Sequence, residues 1–396
     1  MLELYDKTAY MKFLNEGFDY GKRLLGEHNA KIACLLKGHP IPPLEVEIQP
    51  SSICNINCIH CLGRNEDRVR HMMDEQEIED LIDNIFRYEI NGLKIERIKF
   101  SGLYGDPTLN PATFHALQLL VDKKNTYRPK SIGLFTNGVA LPEKYFPLLL
   151  KINYIHFSLD AATSQCYSVI KGAHESNFEN VIRTIEKLAN AKSVRGSRLD
   201  ITAGFVTTPG NCFEIYEFAR LAKNLGVNIV RYKFDITNPP ESIFNKNSKN
   251  NVLADLERAK ELSDDSFQVF VIHDEKALER LSNFSTAKTC YAGKLFATIG
   301  PNGVLYPCFH RTGAGRLNYG SLVESEAPLK RLWENAFTLP DQECRVCSPY
   351  CDFTNHFLEY LVNSREAKGS SFDSFWTELM RETQLTFNNE REKNEK

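Results

Sequence analysis

The sequence predicts an α/β fold built on a parallel sheet, and three observations predict it. From Glu45 onward, short β-rich runs alternate with amphipathic helical runs, the pattern that successive βαβ units produce. Inside the β-rich runs, apolar and polar side chains alternate, so each strand has one face for a core and one face for something else. The chain of 396 residues, 42% hydrophobic and 25% charged, is long enough to bury a large core and carry a smaller appendage.

Taken in order, residues 1–44 carry helical patterns, end in Pro42-Pro43 and should pack against the main sheet rather than form a domain. Strand runs follow at 45–49, 97–101, 131–136, 154–160, 200–207 and 228–235. Amphipathic helical runs lie between them at 74–88, 111–124, 142–150, 178–191 and 212–225. Residues 238–285 are richer in Asn, Ser and charge and read as a linker with helices, one of them over 252–262. The expected division is a helical segment at 1–44, the sheet-and-helix unit at 45–240, the linker at 241–285, a small module at 286–352, and a C-terminal helix with a polar tail at 353–396.

Charge and composition exclude several classes. Lys and Arg total 48 against 51 Asp and Glu, a net charge of -3, which argues against nucleic acid or an anionic membrane as a partner recruited by bulk charge. The start, Met-Leu-Glu-Leu-Tyr-Asp-Lys, is no signal peptide, and no apolar run reaches the roughly 18 residues of a membrane span, so a cytoplasmic location is expected. Most of the eleven cysteines fall in two groups. In a large cytosolic chain such groups point to metal or catalysis rather than disulfides.

The first group, Cys54, Cys58 and Cys61, has the pattern C-x3-C-x2-C just after the first strand run. A 4Fe-4S cluster normally takes four thiolates, so three closely spaced cysteines would hold three irons and leave the fourth open to a substrate or cofactor. A structural zinc site would favour paired C-x2-C or C-x4-C elements with a distant second pair, and nothing after Cys61 supplies a nearby partner. With His60 in the aromatic position before the last cysteine, the segment resembles the radical S-adenosylmethionine (radical SAM) superfamily. The resemblance extends over residues 45–352. It implies a partial (β/α)6 TIM-type barrel with a small C-terminal β-hairpin-plus-helix iron-sulfur module. It also implies a mechanism: the reduced cluster cleaves S-adenosylmethionine, and a 5'-deoxyadenosyl radical abstracts a hydrogen from an unactivated carbon. A reductant such as flavodoxin or ferredoxin is the implied partner.

The resemblance assigns a cofactor pocket to the strand ends. Phe100-Ser-Gly-Leu-Tyr-Gly-Asp-Pro107 resembles the family's glycine-glycine-glutamate motif with a Leu-Tyr insertion and Asp in place of Glu, which makes Gly102, Tyr104, Gly105 and Asp106 candidates for the methionine ammonium. Asn137 lies in a third-strand ending common in the superfamily. Ser158 and Asp160 resemble the fourth-strand pair that meets the ribose and the methionine moiety. Lys171 stands where an arginine often pairs the methionine carboxylate, and Asn211 resembles a ribose or adenine contact. In a barrel covered by helices the apolar strand faces turn outward, so His156, Ser158 and Asp160 of one strand and Arg231, Lys233 and Asp235 of another should face the lumen. A charged lumen is costly unless a ligand or partner satisfies it, which makes Lys233, Asp235 and Arg231 the candidate catalytic group; Lys233 and Asp235 could instead pair with each other.

The second group is Cys290, Cys308, Cys344, Cys347 and Cys351. Residues 296–308 read as a hairpin with a Pro-Asn-Gly turn that places Cys308 at the end of the return strand. The spacing resembles the opening of the SPASM and twitch extensions of radical SAM enzymes. Five cysteines rather than seven imply one auxiliary 4Fe-4S cluster, held by Cys290, Cys308, Cys344 and either Cys347 or Cys351. A zinc ribbon is the competing reading of C-x2-C. Cys34, Cys166 and Cys212 lie in or beside helical runs and read as buried small hydrophobes.

The expected function is hydrogen abstraction from a polar small molecule, such as an amino sugar, cyclitol or nucleoside, ending in oxidation or epimerisation within a biosynthetic route. An auxiliary cluster would accept the leftover electron in an oxidation; Cys166, Cys212 or Tyr104 would quench the radical in an epimerisation. The alternative is modification of a ribosomal peptide. Peptide-modifying members often carry a leader-binding domain ahead of the cluster motif, and the 53 residues before Cys54 leave little room for one. A non-catalytic iron-sulfur or zinc protein would need neither the strand-end motifs nor an open cluster.

Overall fold

The computed structural model describes residues 20–63, 70–103, 105–235, 246–272, 287, 289–308, 312, 318–323, 328–338 and 349–381. Tyr104, Cys344 and Cys347 lie outside the described residues. The sheet has ten strands: β1 Glu45–Ile48, β2 Arg97–Phe100, β3 Ser131–Thr136, β4 Tyr154–Ser158, β5 Asp200–Thr207, β6 Ile229–Phe234, β7 Gln268–Val271, β8 Phe296–Ile299, β9 Val304–Tyr306 and β10 Gly320–Ser321. Their order is β10-β9-β8-β1-β2-β3-β4-β5-β6-β7. From β8 across to β7 every pairing is parallel, whereas β9 and β10 are added antiparallel at one edge. The order is open: the strand pattern predicts the parallel α/β sheet, and the open order agrees with the partial barrel that the resemblance implies.

The helices that cover this sheet form where the sequence places them. α2 (Glu75–Arg87) starts at a capping box of Asp74 and Glu77 and buries Ile78, Leu81, Ile82 and Ile85 on one face. α3 (Pro111–Asp122) begins with Asn110 as its cap and a proline in its first turn. α4 (Ser164–Lys171), α5 (Glu175–Arg195) and α6 (Ile215–Asn224) complete the cover. Beneath them, Val46, Ile98, Leu134, Phe157, Phe205 and Tyr232 are all buried in one core. At ~1.5–3 kcal/mol for each fully buried side chain, that face orients the strands, and the polar face is left to the concave side.

Three features differ from the sequence reading. The segment expected to be a linker with helices contributes α7 (Lys246–Lys260) and also β7, which pairs parallel to β6. Four residues flanked by Ser and Asp are too short a run to separate from a loop. The C-terminal hairpin joins the main sheet, with β8 beside β1 in parallel register. Its turn is the predicted one, with Gly303 at φ 71°, a left-handed conformation that glycine adopts at no steric cost. Finally, α1 (Tyr20–Leu36) packs against α9 (Pro349–Lys368) in a second core containing Leu25, Ile32, Leu36, Phe357, Leu358 and Leu361. It touches the barrel through an ion pair between Glu27 and Arg97 of β2. α8 (Leu329–Thr338) bridges the two, with Leu329 N–H donating to Asn84 of α2 and Trp333 Nε1 donating to Ile41 O at 2.8 Å.

Candidate active site at the carboxyl ends of the strands

The cysteine loop leaves the end of β1 and is held from two sides. On one side is the glycine turn after β2. A Cβ on Gly105 would stand 2.1 Å from Ser51 O, and one on Gly102 would stand 2.1 Å from Gly105 O, so only glycine permits this approach. Asp106 N–H donates to Ile53 O at 2.8 Å, and Cys61 Sγ lies 3.6 Å from Leu103 O. The carboxylate of Asp106 accepts from Thr108 N, Thr108 Oγ1, Thr136 Oγ1 and Asn137 N at 2.6–3.1 Å. Asn137 in turn donates to Asn55 Oδ1 at 2.8 Å and approaches Cys54 Sγ at 3.8 Å. Asp106 is therefore a tie between β2 and β3. Its carboxylate is buried and accepts only from groups of the protein itself among the described residues.

On the other side stands a brace of charges. Lys171, at the end of α4, donates to Asp160 Oδ2 at 2.6 Å, and both side chains are 2% exposed. His60 Nε2 is 3.4 Å from the same oxygen. Burial alone would raise the Asp160 pKa, but Lys171 and His60 outweigh it and hold the carboxyl well below its usual range. Burial likewise works against the Lys171 charge, and Asp160 more than compensates, raising its pKa. Backbone bonds carry this brace to the cysteines, from Asn57 N–H to Lys171 O at 3.1 Å and from Ile59 N–H to Ile170 O at 3.0 Å. A Cβ on Gly172, φ 55°, would sit 2.3 Å from Asn57 O. Asp160 itself has φ 60°, and its Oδ1 accepts from Val206 N–H at 2.7 Å. Asn211 has no exposure and spends its amide on Asp160 O, Val206 O, Thr208 N and Thr208 Oγ1. Lys171, Asp160 and Asn211 thus build a frame beside the cysteine loop. Ser158 is half-buried at the end of β4, and Asn137 is buried just past the end of β3.

The concave face is polar, as the alternation predicts. Lys99 of β2 pairs with Glu45 at 2.8 Å and Glu47 at 3.0 Å. Burial opposes its charge, but the two carboxylates raise its pKa well above the ordinary value. The Phe135 ring lies 4.5 Å from that of His156 and 6.0 Å from that of Tyr154. Glycines make room for these rings: a Cβ on Gly133 would meet Tyr154, and one on Gly204 would stand 2.5 Å from His156 Nε2. His156 is buried and its pKa is pushed well down, by burial first and then by Arg231 and Lys233, so the ring is neutral. Its Nδ1 is 2.7 Å from Thr202 Oγ1, whose hydroxyl also reaches Ile155 O. With that proton given to the carbonyl, the network assigns the imidazole proton to Nδ1 and leaves Nε2 as an acceptor. Arg231 and Lys233 rise on the same face of β6, and Asp235 is buried beyond its end. Among the described residues, Lys233 and Asp235 do not pair with each other. Sequence reasoning missed the cluster of Lys99, Glu45 and Glu47, although Glu45-Val-Glu47 and Arg97-Ile-Lys99 show the same alternation that singled out β4 and β6.

In the C-terminal module, Cys290 Sγ and Pro307 O both lie 3.4 Å from where a Cβ on Gly293 would be, so Cys290 stands beside the residue that precedes Cys308. Ala292 N–H donates to Asn355 Oδ1 at 2.8 Å, tying the same turn to the helix that carries Cys351. Cys166 is buried, with Sγ 3.7 Å from Gly210 O, whereas Cys34 and Cys212 are half-buried.

Among the described residues, no three His, Cys, Asp or Glu side chains gather closely enough to hold a single metal ion. Burial raises the thiol of Cys54 and, to about 11, that of Cys58, and Cys61 is near enough to add to both shifts. Half-buried thiols that share one loop without closing on an ion suit a cluster, whose own irons and sulfides fill the space between ligands. The donor set fits. A half-open parallel barrel with a three-cysteine loop after its first strand and a polar lumen at the carboxyl ends of the strands is the architecture of a radical-generating enzyme.

Residues 48–219 match the Radical SAM superfamily, so this part of the chain is a radical SAM domain, and the cofactors of that superfamily are a 4Fe-4S cluster and S-adenosylmethionine. The mycofactocin maturase MftC of Mycobacterium tuberculosis is 25% identical over 268 residues, 64% of this chain and 61% of MftC, so the match spans less than two thirds of that relative. A probable GTP 3',8-cyclase of Saccharolobus islandicus is 25% identical over 192 residues, 48% of this chain and 56% of the cyclase. Among solved structures, Streptococcus suis SuiB bound to its precursor peptide SuiA shares the fold, with a TM-score of 0.55 and 16% identity over 81% of this chain and 74% of SuiB. No helix among the described residues is long and apolar enough to cross a membrane.

Proposed function

We propose that this chain is a cytoplasmic radical SAM enzyme that modifies a peptide, drawing electrons from a reductant such as flavodoxin or ferredoxin. The observation that carries the peptide reading is the likeness to a maturase over 268 residues, which is longer than the superfamily match and therefore continues beyond it. The comparisons support a peptide better than the amino sugar, cyclitol or nucleoside suggested by the charged lumen. The shorter likeness to a GTP cyclase favours that small-molecule reading as the second one.

Cys54, Cys58 and Cys61 would hold the first cluster, and Gly102, Asn137 and Ser158 would border S-adenosylmethionine. When bound, these groups supply radical hydrogen abstraction. The chain itself orients and excludes water. The ties through Asp106 and Lys171 fix the loop against β2 and β4, and the lumen residues Arg231, Lys233 and Asp235 meet the substrate. Cys290, Cys308, Cys344 and either Cys347 or Cys351 would hold a second cluster, which makes an oxidation the natural outcome because it can accept an electron from the substrate.

Anaerobic reconstitution should give roughly eight irons per chain. Replacing Cys54, Cys58 and Cys61 with Ala should abolish 5'-deoxyadenosine formation and keep the absorbance of the second cluster. Incubation with short peptides encoded beside the gene should change the mass of one of them, only when S-adenosylmethionine and reductant are both present. Turnover of a sugar or nucleoside, with every such peptide unchanged, would overturn the peptide reading and leave the radical chemistry standing.

A further inference from the structure

Among the described residues, the lumen lysine Lys233 is left without a neutralising partner. Lys99 has Glu45 and Glu47, and Lys171 has Asp160. Lys233 makes no hydrogen bond or ion pair among the described residues. Across β5, Lys233 pairs in register with Val206, and Val206 N–H is held by Asp160. Asp160 therefore lies on the same level of the barrel as Lys233. Its oxygens, however, are committed to Val206 and Lys171, so it attracts the ammonium without receiving it. Arg231, Lys171 and Lys99 face Lys233 as like charges.

Lys233 is exposed to water, yet burial is the first cause of its lowered pKa. Both hold for a group on the concave face of the sheet, beside Val206 of β5 and open to water. Leaving an ammonium there among other cations is costly unless an anion arrives.

The geometry points to a carboxylate-binding site in the lumen, anchored by Lys233 at the carboxyl end of β6, that receives an acidic side chain or a chain end of the substrate. The inference rests on the peptide reading for the origin of the carboxylate, but the site itself does not. One unpaired ammonium matches a monoanion. A phosphate dianion would meet Glu45, Glu47 and Asp160 in the same lumen with one neutralising partner too few. The neutral His156, with Nε2 as an acceptor on the lumen floor, adds a place for an N–H or O–H of the same ligand. Lys233 is thus a specificity-determining residue that sets which end of the substrate enters.

The test uses the full chain, reconstituted anaerobically, without peptide or S-adenosylmethionine. Acetylation by the neutral reagent N-hydroxysuccinimidyl acetate is followed at each lysine by peptide mass spectrometry. Propionate at about ten times its dissociation constant should slow acetylation of Lys233 about ten-fold and leave the exposed Lys151 unchanged. Propionamide, and sodium chloride at the same ionic strength, should protect neither lysine. The proposal is overturned if Lys233 does not react in the free protein, if propionate and sodium chloride act alike, or if inorganic phosphate protects better than propionate. Because no peptide is present, failure here leaves the peptide reading intact. Conversely, a small-molecule substrate with a carboxylate would keep the site and remove the peptide.

Discussion

Two lysines flank Asp160, and the molecule treats them in opposite ways. Lys171 is sealed against the carboxylate at 2.6 Å, and its ammonium is held more strongly than in water. Lys233 stands across β5 from the same residue, open to the lumen, with its charge disfavoured. The first region is a brace: ion pair, αL backbone at Asp160 and Gly172, and backbone bonds into the cysteine loop all converge on one geometry. The second is a receiving surface, in which the charge has no internal partner. The difference teaches how to separate a residue that shapes a site from one that faces the ligand, since both look alike as charged residues at strand ends.

The sharpest way to break this distinction is to truncate each lysine. Lys171→Met should destabilise the protein by about 3–5 kcal/mol in urea unfolding, because it leaves Asp160 buried without its partner. The double variant with Asp160→Asn should recover a large part of that loss, since contacting residues do not act additively. Lys233→Met, in the same assay, should be at least as stable as the wild type. A loss with Lys233→Met as large as with Lys171→Met would show that both lysines are structural.

A smaller effect tests how the brace reaches the cysteines. Gly172→Ala places a Cβ against Asn57 O in a backbone conformation that L side chains resist, at a cost of about 1–3 kcal/mol. The strain falls on the cysteine loop, so iron bound after reconstitution should drop while the far-ultraviolet circular dichroism is unchanged. Full iron loading in this variant would uncouple Gly172 from the loop.

Much of the fold was legible in the sequence because alternation and helix punctuation are local. All six predicted strand runs form, the turn at Gly303 sits where expected, and the polar faces of β4 and β6 turn inward. What escaped depends on distance. β7 is four residues long and becomes a strand through β6; α1 carries an apolar face whose partner, α9, lies more than 300 residues away in sequence. At the site, the cysteine spacing was legible, but the division of labour was not. Whether Lys171, Asn211 or Asp106 meets a ligand or a neighbour is decided by which hydrogen bonds the fold completes, and those partners lie 2 to 51 residues away.

A third lysine sharpens the comparison because it lies between the two extremes. Lys31 of α1 is buried, and its ammonium donates to a carbonyl, Pro43 O at 3.2 Å. Burial lowers its pKa to about 8; Glu96 partly offsets this, and Lys130 and Arg97 reinforce it. A lysine whose folded pKa lies below its unfolded value of 10.5 binds fewer protons in the folded state between those two pH values. Stability therefore rises as pH climbs from about 8 towards 10.5, and the gain is lost again as pH falls back through 8. At about 1.4 kcal/mol per pH unit for complete burial, and less for a group that keeps a polar contact, the expected gain is about 1–2 kcal/mol. Other lysines and tyrosines titrate in the same window, so the quantity to measure is the difference in unfolding free energy between the wild type and Lys31→Met at pH 7.5 and pH 10. The wild type should gain on the variant as pH rises. A difference independent of pH would mean that Pro43 O serves Lys31 as fully as Asp160 serves Lys171, and that a carbonyl alone is enough to seal a lysine in this fold.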